Sequence, residues 1–104
     1  MNNELIHILE TNFNFDLKLA QSELDSESAF LNQLKLKLAE RIKFFIRTDI
    51  DKLMQALYRI DVDDKLSDQA FNLGEINQIA DKLAELIIMR QLQKIDYARK
   101  FNKN

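Results

Sequence analysis

No proline and only one glycine, Gly74, punctuate this chain. Sheet folds need tight turns, and tight turns draw on Gly and Pro for backbone angles that other residues resist. A β-sandwich or barrel without them has no economical way to connect its strands. Long helices need few such residues, and the abundant Leu, Ile, Lys, Gln, Ala and Glu are mostly good helix formers. The expectation is an all-α fold, a compact bundle of about five helices in one domain spanning residues 1–104. A chain of 104 residues closes a core without covalent staples, and its 46% hydrophobic content argues against disorder.

Hydrophobic spacing places the helices at roughly 3–12, 27–47, 49–60, 62–71 and 73–101. The second has the strongest pattern: Leu31, Leu34, Leu38, Ile42 and Phe45 recur every three or four residues and share one face. Asp25 and Ser26 both offer N-cap oxygens for it, and Thr48 or Asp49 does so for the third helix. The third helix is expected to bury Ile50, Leu53, Met54, Leu57 and Ile60. In Asp61-Val62-Asp63-Asp64, Asp61 reads as an N-cap, with Asp63 and Asp64 on the positive end of the helix dipole. That short helix should bury Leu66 and Phe71. Asn72 followed by Glu75 resembles a capping box for the last helix.

The long C-terminal helix carries Ile76, Ile79, Ala80, Leu83, Leu86 and Ile87 on one face. The run Leu86-Ile87-Ile88-Met89 is then apolar all round, and the stripe moves to Ile88, Leu92, Ile95 and Ala98 or Arg99. A helix that changes its apolar face changes its neighbour or contacts two at once. At about 1.5 Å per residue it is roughly 40 Å long, so its end is expected to project. Residues 1–26 read as a short helix burying Leu5, Ile8 and Leu9, followed by an extended arm that packs Phe13, Phe15 and Leu17. Alternation over residues 12–19 also suits a strand, but a lone hairpin is marginally stable.

Cysteine is absent, which removes disulfides and thiolate metal sites and suits a reducing compartment. No secretory signal or membrane span is legible, so the expectation is a cytoplasmic protein. Net charge is −2, but it is distributed in blocks. Residues 1–31, 32–60, 61–85 and 86–104 carry −5, +4, −5 and +4. Opposite blocks either neutralise one another inside the fold or present complementary patches to partners.

The usual routes to chemistry lack residues. His7 is the sole histidine; it lies three residues before Glu10, and a metal site needs more ligands and second-shell support. Counted from Asp61, a calcium loop would need glycine sixth and glutamate twelfth, where Leu66 and Asn72 stand. Gly74 alone makes no phosphate loop. No cofactor is expected. Arg90, Gln91 and Lys94 could line the polar pocket of a small helical enzyme. The cations of residues 35–59 could track nucleic-acid phosphates, although their simpler reading is a solvated helix face, and a pI near 5.4 is unusual for that role. Leu36 and Phe44 on that charged side are apolar groups of the kind that mark a protein contact.

The segment Ile88 to Phe101 stands out. Either the early chain folds back and covers it, or it forms a helix–helix interface, most simply a two-fold homodimer. Ile88, Leu92, Ile95, Tyr97, Arg99 and Phe101 are its candidate partner-binding residues, the aromatic and arginine side chains being types enriched at interfaces.

The run Thr48-Asp49-Ile50-Asp51-Lys52-Leu53-Met54-Gln55-Ala56-Leu57-Tyr58-Arg59-Ile60-Asp61-Val62 resembles a stretch of short bacterial all-helical proteins of uncharacterised function. Ile79-Ala80-Asp81-Lys82-Leu83 and Arg90-Gln91-Leu92-Gln93-Lys94-Ile95 are similar too. The resemblance implies a compact bacterial-type helical protein and no activity. Physically, Tyr58 to Val62 is a helix-end junction. Arg59 could pair with Asp61, Asp63 or Asp64, and Tyr58 could bury its ring while keeping its hydroxyl bonded.

These readings lead to a non-enzymatic interaction or structural module that self-associates or binds another protein. Nucleic-acid association through residues 35–59 and a small helical enzyme are the alternatives.

Overall fold

Among the described residues, 3–19 and 26–101, the computed structural model contains five α-helices and no strand. They are α1 (Asn3–Phe13), α2 (Glu27–Thr48), α3 (Ile50–Arg59), α4 (Asp64–Phe71) and α5 (Ile76–Phe101). α2 and α5 share the largest contact, and α4 lies against α5. α3 lies on α2, and α1 touches α2, α3 and α5.

Ser26 starts α2 by accepting the Ala29 amide at 3.0 Å; Asp25 lies outside the described residues. The buried side chains of α2 are Phe30, Leu34, Leu38, Ala39, Ile42 and Phe45, with Leu31 at the margin. Asp49 serves two helices. Its amide donates to the Phe45 carbonyl at 2.8 Å, closing α2, and its carboxylate accepts the Lys52 amide at 3.3 Å, opening α3. One residue therefore turns the chain between the two helices.

α3 turns a different face inward from the one expected. Leu53, Ala56, Leu57 and Ile60 are buried, whereas Ile50 and Met54 are each 42% exposed. Both stripes share Leu53, Leu57 and Ile60 and differ only in which edge is added. Ala56 offers little apolar area but lets a neighbouring backbone approach, which a count of large side chains overlooks.

α4 begins later than expected. Its cap is Asp63, which accepts the Lys65 and Leu66 amides at 2.8 and 3.3 Å. Asp61 has φ +65°, outside the extended region an N-cap occupies. The helix buries Ser67 and Ala70; Leu66 is exposed and Phe71 half-buried. The Ser67 hydroxyl donates to the Asp64 carbonyl at 3.1 Å, so its burial leaves no polar group stranded.

Asn72 is not the cap of α5 but the C-cap of α4. Gly74, at φ +86°, turns the chain. Glu75 is the cap: its carboxylate accepts the Asn77 and Gln78 amides, each at 3.0 Å, and its carbonyl accepts Ile79 at 2.9 Å. The 26 residues of α5 rise about 1.5 Å each, close to the 42 Å longest dimension of the molecule. The helix therefore runs the length of the fold.

The buried face of α5 drifts round the helix without a break: Ile79, Ala80, Leu83, Ala84, Ile87, Ile88, Gln91 and Ile95 follow one another largely in steps of three and four, which do not match 3.6 residues per turn. The helix accordingly packs on α2, α4 and α1. Gln91 continues the buried stripe as a polar residue in a core position. α1 packs Leu5, Leu9 and Phe13 into the same core, so Phe13 ends a helix instead of opening the arm. Ile8 is half-buried. Residues 14–19 form the non-helical arm, with Leu17 buried and Phe15 half-buried. No described helix is long and apolar enough to cross a membrane.

Candidate interaction surface

The C-terminal end of α3 sets the geometry of the junction. Asp61 takes the left-handed conformation, the Val62 amide reaches back to the Leu57 carbonyl at 3.1 Å, and the Asp61 amide reaches Tyr58 at 3.1 Å. This is the double-bonded helix stop in which a hydrophobic contact accompanies the turn, and Leu57 and Val62 are both buried. Side chains of α5 take the next carbonyls. Gln91 Nε2 donates to Ile60 at 2.7 Å, and Arg90 Nε donates to the Asp61 carbonyl at 3.1 Å. Arg90 Nη2 also binds the Asp61 carboxylate at 2.8 Å, and this bond with the guanidinium charge holds the carboxyl below its usual range.

Two expectations for this junction change. Arg59 pairs with none of the neighbouring aspartates; it donates to the Asn12 carbonyl and Asn12 Oδ1, both at 3.1 Å. Tyr58 is 84% exposed, because α3 turns Ala56, Leu57 and Ile60 inward and leaves position 58 outside.

The C-terminal end of α1 shares the left-handed residue and the longer of the two bonds. Asn14 has φ +53°, and the Phe15 amide reaches the Glu10 carbonyl at 3.3 Å. Arg59 takes Asn12, while Arg41 Nε and Nη2 take the Phe13 and Asn14 carbonyls at 2.9 and 2.7 Å. The Arg41 guanidinium also lies 4.6 and 4.7 Å from the Phe44 and Phe45 ring centroids. Two cations from α2 and α3 thus sit on the negative end of the α1 dipole.

The basic segment 35–59 is consequently not a purely solvated face. Lys37 donates to the Lys18 carbonyl at 3.3 Å, and Lys35 lies 3.7 Å from Glu85. Lys43, whose side chain is only 15% exposed, binds Glu40 at 2.7 Å and Asn77 at 2.9 Å. Ion pairs bridge the opposite charge blocks: Lys35 with Glu85, Arg90 with Asp61, and Arg99 with Glu4. Arg90 and Gln91 hold the α3 end; Arg90 also lines a cleft with Asp61 and Gln93, and Lys94 lines another with Asp61, Asp63 and Asp64. His7 is exposed, and Glu10 accepts the Leu17 amide at 3.0 Å. Among the described residues no group of three His, Asp or Glu converges.

The candidate partner residues of α5 divide into two sets. Ile88 and Ile95 are in the core, and Leu92 is half-buried at its edge. Tyr97 and Phe101, four residues apart on one side of α5, are 64% and 66% exposed, with ring centroids 4.7 Å apart. Arg99 is exposed on another side of the helix, 3.7 Å from Glu4, and Met89 is exposed about two turns before Tyr97. Beside Met89 a cleft of about 370 Å³ opens between α5 and the α3–α4 turn, with Leu66, Leu86 and Val62 as its apolar lining. Leu36 and Phe44 are exposed on α2, among charged neighbours.

Met89 and Leu66 were not among the expected contact residues. Met89 sat in a run apolar on all sides, and Leu66 read as core. No family model, curated protein or solved structure matches the chain.

Proposed function

We propose that this chain is a non-enzymatic interaction module of the bacterial cytoplasm, pairing with a second copy of itself or another protein through the outer face of α5. The carrying observation is the solvent-facing pair of Tyr97 and Phe101, whose rings lie 4.7 Å apart and are each about two-thirds exposed, with Met89 also exposed two turns earlier. Aromatic groups held in one arrangement lose little side-chain freedom on binding, which is why they concentrate at the centres of interfaces. The adjoining Leu66 and Leu86 cleft extends the apolar area.

The alternatives draw less support. Lys35, Lys37 and Lys43 already bind protein groups, which weakens the case for an extended nucleic-acid face. Arg90 and Gln91 are likewise spent on the α3 end.

Light scattering across about a hundredfold range of concentration tests the reading, with Tyr97→Glu/Phe101→Glu as the comparison. A mass that doubles in the wild type and stays monomeric in the variant, at unchanged helicity, supports self-pairing. A wild type that is monomeric throughout rejects it. Affinity capture from the source cells then decides the hetero-partner: a set of captured proteins identical for wild type and variant removes the α5 face from consideration.

A further inference from the structure

A second cleft, of about 340 Å³, opens where the C-terminal end of α1 meets α2 and α3. Arg41, Lys52 and Arg59 line it, and no carboxylate does. Clefts lined by Asp61 and Asp63, by Asp61 and Asp64, and by Asp16 and Glu40 all mix the two signs. In a chain of net charge −2, three cations around one carboxylate-free hollow run against the average. Among the described residues the one acid paired with them is Asp49, 3.9 Å from Lys52, whose exposed side chain lets solvent screen most of the attraction.

The arginines are fixed in advance. Each spends Nε and one Nη2 hydrogen on the α1 end, which orients the guanidinium plane. A guanidinium carries five N–H donors, so each retains donors beyond those bonds. Those same bonds neutralise the negative end of the α1 dipole, which would otherwise repel an anion. Thr11 and Gln55 also line the cleft, and neither side chain makes a hydrogen bond among the described residues.

We infer that this cleft binds a small phosphate-bearing anion. Phosphate offers several strong acceptor oxygens to converging forked donors, with a lysine as a mobile point charge. The volume is at the lower end for small-molecule sites, which suits a pyrophosphate or a compact phosphate monoester. Because the donors are already ordered, binding immobilises little beyond Lys52 and Gln55.

The test is titration of the full chain with inorganic pyrophosphate, read by calorimetry and by backbone and arginine Nε–H resonances. Saturable shifts centred on Arg41, Lys52, Gln55 and Arg59 are expected. Lys52→Gln removes a charge but no bond that holds the fold, so its melting temperature without ligand should match the wild type. Its affinity should fall about tenfold, the scale of one lost charge-assisted contact. Shifts that never saturate, or that are equal in Lys52→Gln, overturn the site. A short single-stranded oligonucleotide forms the second arm. If it binds steeply salt-dependently and pyrophosphate does not displace it, the phosphate source is a nucleic-acid backbone and the small-ligand proposal fails.

Discussion

Two residues with positive φ, Asn14 and Asp61, carry the stops of α1 and α3, and neither is glycine. Asn and Asp tolerate the left-handed region better than other side chains, though at some cost relative to Gly. Asn14→Gly should therefore be neutral or stabilising by under about 1 kcal/mol. Asn14→Val, with a branched Cβ, should cost about 1–2 kcal/mol in urea unfolding. Asp61 differs because its carboxylate also binds Arg90. Gln91 is a second single-residue constraint: replacing it by leucine keeps the volume but leaves the Ile60 carbonyl buried without its donor. We expect a loss of about 1–3 kcal/mol, measured by the same unfolding experiment. None of these roles was legible locally. A left-handed Asn looks like any loop Asn, and a core Gln looks like a surface Gln, until the distant carbonyl it serves is placed.

At the scale of elements, helix existence was legible and helix edges less so. Ser26 and Asp49 were each readable as one of two adjacent candidate caps, beside Asp25 and Thr48, where the apolar period began. The edges of α4 and α5 slipped by two or three residues because Asp61, Asp63, Asn72 and Glu75 all have capping chemistry, and only backbone conformation selects among them. These ends carry a pH signature. Hydrogen bonds from two backbone amides hold the Glu75 carboxyl below its usual range, Arg90 does so for Asp61, and Lys43 for Glu40. A carboxyl whose folded pKa is depressed stabilises the protein above its unfolded value and loses that contribution as pH falls through the folded one. Melting temperature should thus be flat from neutrality to about pH 5 and decline below about pH 4. Asp61→Asn and Glu75→Gln should each start lower at neutral pH and show a shallower acid decline by circular dichroism. An equal acid slope in both variants and the wild type would place the sensitivity elsewhere.

For the whole molecule, the five-helix order and the long final helix were legible in the sequence, but the full extent of the buried face of α5 was not. Its second half is left over as long as Gln91 reads as a pocket residue and not as part of the core. Once Gln91 is inside, Ile88, Gln91 and Ile95 complete the core, and the exposed remainder narrows to Met89, Tyr97, Arg99 and Phe101. This division predicts an asymmetric truncation series. Ending the chain after Ala98 removes the exposed Phe101 and the 3.7 Å Arg99–Glu4 pair. An ion pair so exposed contributes about 0–1 kcal/mol, so the melting temperature should shift by only a few degrees. Ending it after Met89 removes Ile95 from the core, Gln91 from Ile60, and Arg90 from Asp61. Losing a large buried aliphatic alone costs several kcal/mol, and two helix-end carbonyls lose their donors besides, which together rival the roughly 5–15 kcal/mol that hold a domain folded. The shorter chain should lose cooperative unfolding in calorimetry. If it keeps a sharp transition near the full-length temperature, the second half of α5 is an appendage and not the spine inferred from its buried face.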